Sequence, residues 1–127
     1  MGKKEREKGA RGERLLKEFL NSFGLTVKRG YTFLKQSDLI DLPGIHVECK
    51  FVEKLSVRKA MYQAIDEAAK RKDGMPAVFW KVSREPWLTV MRTEDWVQLY
   101  KMARYNKEVK GGRHGGTKDV CEGDCGQ

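Results

Sequence analysis

The chain has 127 residues, enough for one domain with a single core, and no apolar run approaches the roughly 20 residues of a membrane span. Its net charge is +8, and its three cysteines, an odd count in mixed settings, do not form a secreted disulfide framework. The N-terminus, "MGKKEREKGARGERLL", is basic but lacks the apolar stretch of a signal peptide, so a soluble intracellular (cytoplasmic) protein is expected.

The charge excess lies outside the last twenty or so residues. From Asn106 onward Lys107, Lys110, Arg113 and Lys118 balance Glu108, Asp119, Glu122 and Asp124. Much of the excess is N-terminal, in Lys3, Lys4, Arg6, Lys8, Arg11, Arg14 and Lys17. A basic domain is the electrostatic footprint of a polyanion partner, nucleic acid foremost.

In chain order, residues 1–9 read as a frayed basic arm. Leu15, Leu16, Phe19, Leu20 and Phe23 form one apolar stripe, which predicts a helix from about Ala10 to Phe23, ended by Gly24. "LTVKRGYTFL" reads as a first strand with Gly30 as a bulge, and "SDLID" as a short second strand. "LPG" is a turn, and "IHVECKFV" alternates as a third strand. Ser56 is placed to cap a helix over 57–72 whose apolar side carries Val57, Ala60, Met61, Ala64, Ile65 and Ala68. "KDGMP" ends it; "AVFWKV" and "WLTVM" are strands around the turn "SREP". Thr93 opens a last helix with Trp96, Leu99, Tyr100 and Ala103 as its buried face. Residues 106–127 read as a flexible Gly-rich tail, which leaves 1–105 as the folded domain. The order helix, three strands, helix, two strands, helix predicts an α/β or α+β domain with a sheet flanked by helices. There is no G-x-G-x-x-G and no GxxxxGK loop, so no nucleotide cofactor is expected.

The chemistry concentrates in "DLIDLPGIHVECK". In the third strand Ile45, Val47, Cys49 and Phe51 point to one face, and His46, Glu48 and Lys50 to the other. If the hairpin pairs about Pro43, Asp38 lies directly across from Glu48, with Cβ atoms roughly 5 Å apart. Like charges so placed repel, and they need a cation between them or a bound proton. A divalent metal and Lys50 supply that charge. Glu13 shares its helix face with Leu16 and Leu20 and adds a third acid. Carboxylates and the Cys49 carbonyl suit Mg²⁺ or Mn²⁺ better than Zn²⁺. The plain alternative is a surface hairpin with a Glu–Lys ion pair. It weakens with an acid ten residues upstream, across a turn, in a basic chain.

Asp38 followed by Glu48-Cys49-Lys50, after an acid-bearing helix, resembles the PD-(D/E)XK nuclease superfamily. The stretch from "SDLIDLPGIHVECKFVEKLSVRKAMYQAIDEA" through "GMPAVFWKVSREPWLTVMRTEDW" is similar to its phage-type Holliday junction resolvases, over roughly residues 9–100. The resemblance implies a restriction-endonuclease-like αβββαβ core and a Mg²⁺-dependent endonuclease acting on DNA, branched DNA in particular. It implies Asp38 and Glu48 as metal ligands, Lys50 as catalytic lysine, and Glu13 as the helix-borne acid, ligating directly or through water. It also implies a homodimer, since symmetric cleavage of a junction needs two sites. Ser37 stands where the motif often has proline. Asp41 competes with Asp38 but abuts the turn and falls on the opposite face in the chosen register. Gln63 is a weaker candidate, because the Gln-x-x-x-Tyr pattern of some relatives is absent.

Lys3, Lys4, Arg6, Lys8, Arg11 and Arg14 are the foremost phosphate contacts, with Arg58 and Lys59 on the second helix, where Lys70, Arg71 and Lys72 are further candidates. His46 reads as a partly exposed strand histidine. Trp96 reads as core, Trp87 as exposed and suited to a dimer contact, and Trp80 as a further stacking aromatic. His114, Cys121 and Cys125 lack the paired spacing of a zinc site. The alternatives in function are a related nuclease for flap, linear or single-stranded DNA, and a non-catalytic DNA-binding protein.

Overall fold

The computed structural model describes residues 2–31 and 37–111. The elements follow in the expected order: helix α1 (Lys3–Asn21), strands β1 (Lys28–Arg29), β2 (Leu39–Ile40) and β3 (Ile45–Phe51), helix α2 (Val57–Arg71), strands β4 (Met75–Lys81) and β5 (Leu88–Met91), and helix α3 (Thr93–Gly111). The protein is α+β. Its main sheet has three strands in the order β3-β4-β5, with β3 parallel to β4 and β4 antiparallel to β5. A parallel pair needs a crossover, and α2 supplies it. The pair β1–β2 forms a separate antiparallel ribbon, Lys28 opposite Ile40 and Arg29 opposite Leu39.

Helix α1 begins at Lys3, so the expected frayed arm is helical. Its first turns carry no apolar period, but Lys, Glu and Arg are good helix formers, and Lys3 and Glu7 pair at i,i+4. The helix stops at Asn21, two residues before the predicted end, and Gly24 then takes φ +95°. Leu16 is fully buried with Val27, Leu39 and Val47, so α1 covers the β3 face that carries Val47 and Cys49. Gly12 permits this approach. A Cβ on it would stand 2.6 Å from the Phe51 Cβ.

Helix α2 covers the opposite face. Ala60, Met61 and Ala64 pack with Val78, and Trp80 and Val90 extend the cluster. Val78 is paired with Glu48 and Trp80 with Lys50, which puts the Glu48 side of β3 under α2. Ser56 occupies the position before the helix, but its side chain makes no capping bond. The helix closes on Lys72 in the left-handed conformation. Gly74 then takes φ +138°, and its backbone lies against Gly44, where a Cβ would collide with the Gly44 carbonyl carbon. The Met75 N–H donates to the Gly44 carbonyl at 2.8 Å, which fixes the start of the β3–β4 register.

Among the described residues the predicted first strand, 25–34, is strand only at Lys28–Arg29. Gly30 lies just past it and donates its N–H to the Asp38 carbonyl at 3.0 Å. Residues 32–36 lie outside the described residues. The chain divides into two compact units, Met1–Arg92 and Thr93–Gln127. The second corrects two expectations. Trp96 and Tyr100, predicted as a buried face, are 54% and 50% exposed and stack on each other at 5.4 Å. Residues 106–111, predicted as the start of a tail, continue α3 to Gly111. The remainder, with His114, Cys121 and Cys125, lies outside the described residues. Among the described residues no helix is long and apolar enough to cross a membrane.

Candidate active site

The expected hairpin register is not the one observed. Among the described residues no β2–β3 ladder forms, since β2 pairs with β1. Asp38 lies in a bend before β2, outside any ladder, and donates its N–H to the Val47 carbonyl at 3.3 Å. Its carboxylate runs along the outer edge of β3, where Oδ2 accepts the Cys49 N–H at 2.7 Å. Asp38 therefore grips β3 at the residues on either side of Glu48. A strand residue's N–H and C=O point to the same edge, so the Cys49 carbonyl also faces the Asp38 side.

Four further predicted residues, Glu48, Lys50, Gln63 and Glu13, gather around Asp38. Glu48 is buried, and its Oε2 pairs with Lys50 Nζ at 3.2 Å. Lys50 Nζ also donates to Gln63 Oε1 on α2 at 3.2 Å, so the weakly favoured Gln63 does reach the cluster. Glu13, on the α1 side, feels the charge of Asp38 and is held by Arg29 of β1, whose NH2 and Nε lie 2.9 and 3.1 Å from Oε1. Arg29 was not singled out from the sequence, since nothing in "TVKRG" marks it.

The electrostatics follow from crowding acids in a half-buried place. Burial, then the charge of Asp38, raises the Glu13 carboxyl above its ordinary range against the pull of Arg29. Burial raises Asp38 more than the Cys49 N–H, Lys50, His46 and Arg71 bring it down. Burial and then Asp38 raise Glu48 despite Lys50 and His46. Three carboxyls that resist ionising together favour a bound cation. The Cys49 thiol is pushed far up by burial and by Asp38, Glu13 and Glu48, so it stays protonated and is no nucleophile.

Among the described residues no group of three or more His, Cys, Asp or Glu side chains is arranged to hold an ion. Mg²⁺ does not require one, since it keeps several waters and takes one or two carboxylates. Asp38 and Glu48 commit Oδ2 and Oε2 to the Cys49 N–H and Lys50. Their other carboxylate oxygens and the Cys49 carbonyl are hard oxygens of the type Mg²⁺ prefers.

Asp41 has φ +66°, and its carboxylate turns to Lys28 at 3.7 Å. Lys3, Lys4, Arg6, Lys8, Arg11 and Arg14 are exposed along α1, and Arg58 and Lys59 on the first turn of α2. Lys8 and Arg11 each stand 5.6 Å from the centre of the Phe51 ring, next in sequence to Lys50. Trp87 is half-buried and stacks on Phe19 at 6.5 Å, while Trp80 Nε1 donates to the Val52 carbonyl at 2.9 Å.

His46 differs most from expectation. It is 1% exposed, with Nδ1 2.9 and 3.0 Å from the two Asp73 oxygens. Ser37 Oγ lies 2.5 Å from Asp73 Oδ2 and 3.1 Å from the same Nδ1. Burial alone would raise the Asp73 carboxyl, but the bonds from Ser37 and His46 outweigh it and hold it below its ordinary value. Compared with known proteins, the chain matches no family model and no curated sequence.

Proposed function

We propose that the chain is a metal-dependent endonuclease that hydrolyses DNA phosphodiester bonds, with four-way junctions or other branched DNA as substrate and a homodimer as the working form. The observation that carries this reading is the meeting of Asp38, Glu48 and Lys50 at one strand edge, with Glu13 electrostatically coupled to Asp38. The element order agrees with the αβββαβ core implied by the resemblance to PD-(D/E)XK nucleases.

Asp38 and Glu48, with the Cys49 carbonyl, would hold Mg²⁺ or Mn²⁺, and Glu13 would act directly or through water. Such an ion supplies a polarised water and charge neutralisation at phosphorus. Lys50, fixed between Glu48 and Gln63, presents a cationic donor to the attacking water or to a phosphate oxygen as charge develops. The exposed cations of α1 and the first turn of α2 bind the backbone and contribute most of the affinity.

The alternative reading is a non-catalytic DNA-binding protein. Against it, clustered acids facing phosphates weaken binding, so a pure binder has no use for them.

Cleavage of a panel of junction, flap, linear duplex and single-stranded substrates, with and without Mg²⁺, tests the reading. Metal-dependent cleavage that is fastest on the junction is expected. Equal rates on all substrates would remove the junction preference, and no cleavage with Mg²⁺ or Mn²⁺ would remove the enzyme.

A further inference from the structure

Ser37, His46 and Asp73 come from three distant segments: the approach to β2, the body of β3, and the turn between α2 and β4. Their set of residue types suggests a hydrolytic triad, but their geometry excludes one. In such a triad the acid and the serine occupy different ring nitrogens. Here Ser37 and Asp73 both address Nδ1, and Ser37 has a carboxylate oxygen of Asp73 2.5 Å away to receive its proton. An ionised Asp73 only accepts, so the imidazole proton lies on Nδ1.

The other nitrogen carries the cost. His46 Nε2 is the one buried side-chain N or O atom without a hydrogen-bond partner among the described residues. A buried polar atom left without a partner is unfavourable. A histidine kept at 1% exposure despite that cost is there for what Nδ1 does. Nδ1 ties β3 to Asp73, and Asp73 ties in Ser37, the residue bonded directly to Asp38. His46 also shares a strand face with Glu48, two residues on. The cluster thus grips the chain immediately beside both carboxylates of the proposed metal site.

We propose that Ser37, His46 and Asp73 are positioning residues that hold Asp38 and Glu48 in place for metal binding, with Asp73 as the anchor. This rests on the metal-dependent reading above. None of the three touches substrate. Their role parallels that of outer partners at metal sites, whose loss costs about 10–100-fold in metal affinity or activity.

The test is Mn²⁺ titration of the full-length protein by electron paramagnetic resonance, with Asp73→Asn as the main variant. Asp73 is partly exposed, and the change is isosteric. Mn²⁺ affinity about 10–100-fold weaker is expected, with kcat reduced and KM for junction DNA unchanged. Ser37→Ala, a smaller change, is read in the same way should Asp73→Asn fail to fold. His46→Asn places an amide donor at the Nδ1 position and removes Nε2. It should retain affinity within about threefold of wild type, well short of the roughly 10–100-fold lost on removing an outer partner. Wild-type affinity in folded Asp73→Asn, or a loss in His46→Asn equal to that in Asp73→Asn, would overturn the proposal. Wild-type protein that binds no Mn²⁺ would overturn the metal reading together with it, so the two failures are distinguishable.

Discussion

Asp38 and Asp41 are three residues apart and chemically identical, yet their surroundings differ. Asp38 is half-buried and bonded to the Cys49 N–H, while Asp41 sits exposed in a left-handed turn beside Lys28. Asp38→Asn should lower the cleavage rate by about 10²–10³-fold, the cost of removing one key electrostatic group. Asp41→Asn should leave the rate unchanged and shift stability by less than about 1 kcal/mol, since exposed pairs contribute little. Single-turnover cleavage with urea denaturation checks both, and a loss in Asp41→Asn alone would reverse the assignment. The chemical set was legible in the sequence because Glu48 and Lys50 share a face by simple alternation. The position of Asp38 was not. It depends on a side-chain bond to the edge of β3, and no periodicity encodes it. The burial of His46 escaped the sequence reading for a similar reason: its partners lie 9 and 27 residues away in Ser37 and Asp73.

At the level of elements, the order and type of the helices and strands among the described residues could be read from the sequence pattern. The boundaries were less legible. α1 runs seven residues further toward the N-terminus because its early turns are held by propensity and solvated charge, which leave no apolar trace. The expected burial of α3 failed because a stripe of aromatics fixes spacing and says nothing about a partner. The packing of α1 on β3 turns on Gly12. In a free helix Gly→Ala would stabilise by roughly 0.5–1 kcal/mol. Here the new methyl meets the Phe51 Cβ at 2.6 Å, an atom that cannot swing aside. Gly12→Ala should therefore destabilise, by about 1–3 kcal/mol in urea unfolding. The exposed face of α1 predicts a salt effect. Replacing Lys4 or Arg14 by Ala should reduce the slope of log Kd against log salt by about 1 each, read from junction binding in EDTA.

At the scale of the molecule, a net charge of +8 surrounds a small cluster of acids that are hard to ionise together. Glu13, Asp38 and Glu48 hold protons to higher pH in the folded chain than their ordinary 4.5, 3.8 and 4.5. The folded state binds more protons across that interval, so these groups lower stability as pH rises through it toward neutrality. Asp73 acts oppositely: its lowered value contributes stability above 3.8 that is lost as pH falls through the folded value. In EDTA the urea midpoint should therefore decline as pH rises out of the ordinary carboxylate range toward neutrality on account of the three acids. Mg²⁺ should restore it at the upper end and do little at the lower, because ligation needs the ionised carboxylates. Equal effects of Mg²⁺ at both ends would separate the ion from these acids. The most direct measurement of the central claim is single-turnover cleavage of a four-way junction by wild type and Glu48→Ala in Mg²⁺. Wild type should cut only with the metal, while Glu48→Ala should bind the junction normally and cut about 10²–10³-fold more slowly or not at all. Cleavage by Glu48→Ala at the wild-type rate, or an intact junction after incubation with wild type in Mg²⁺ or Mn²⁺, would contradict it.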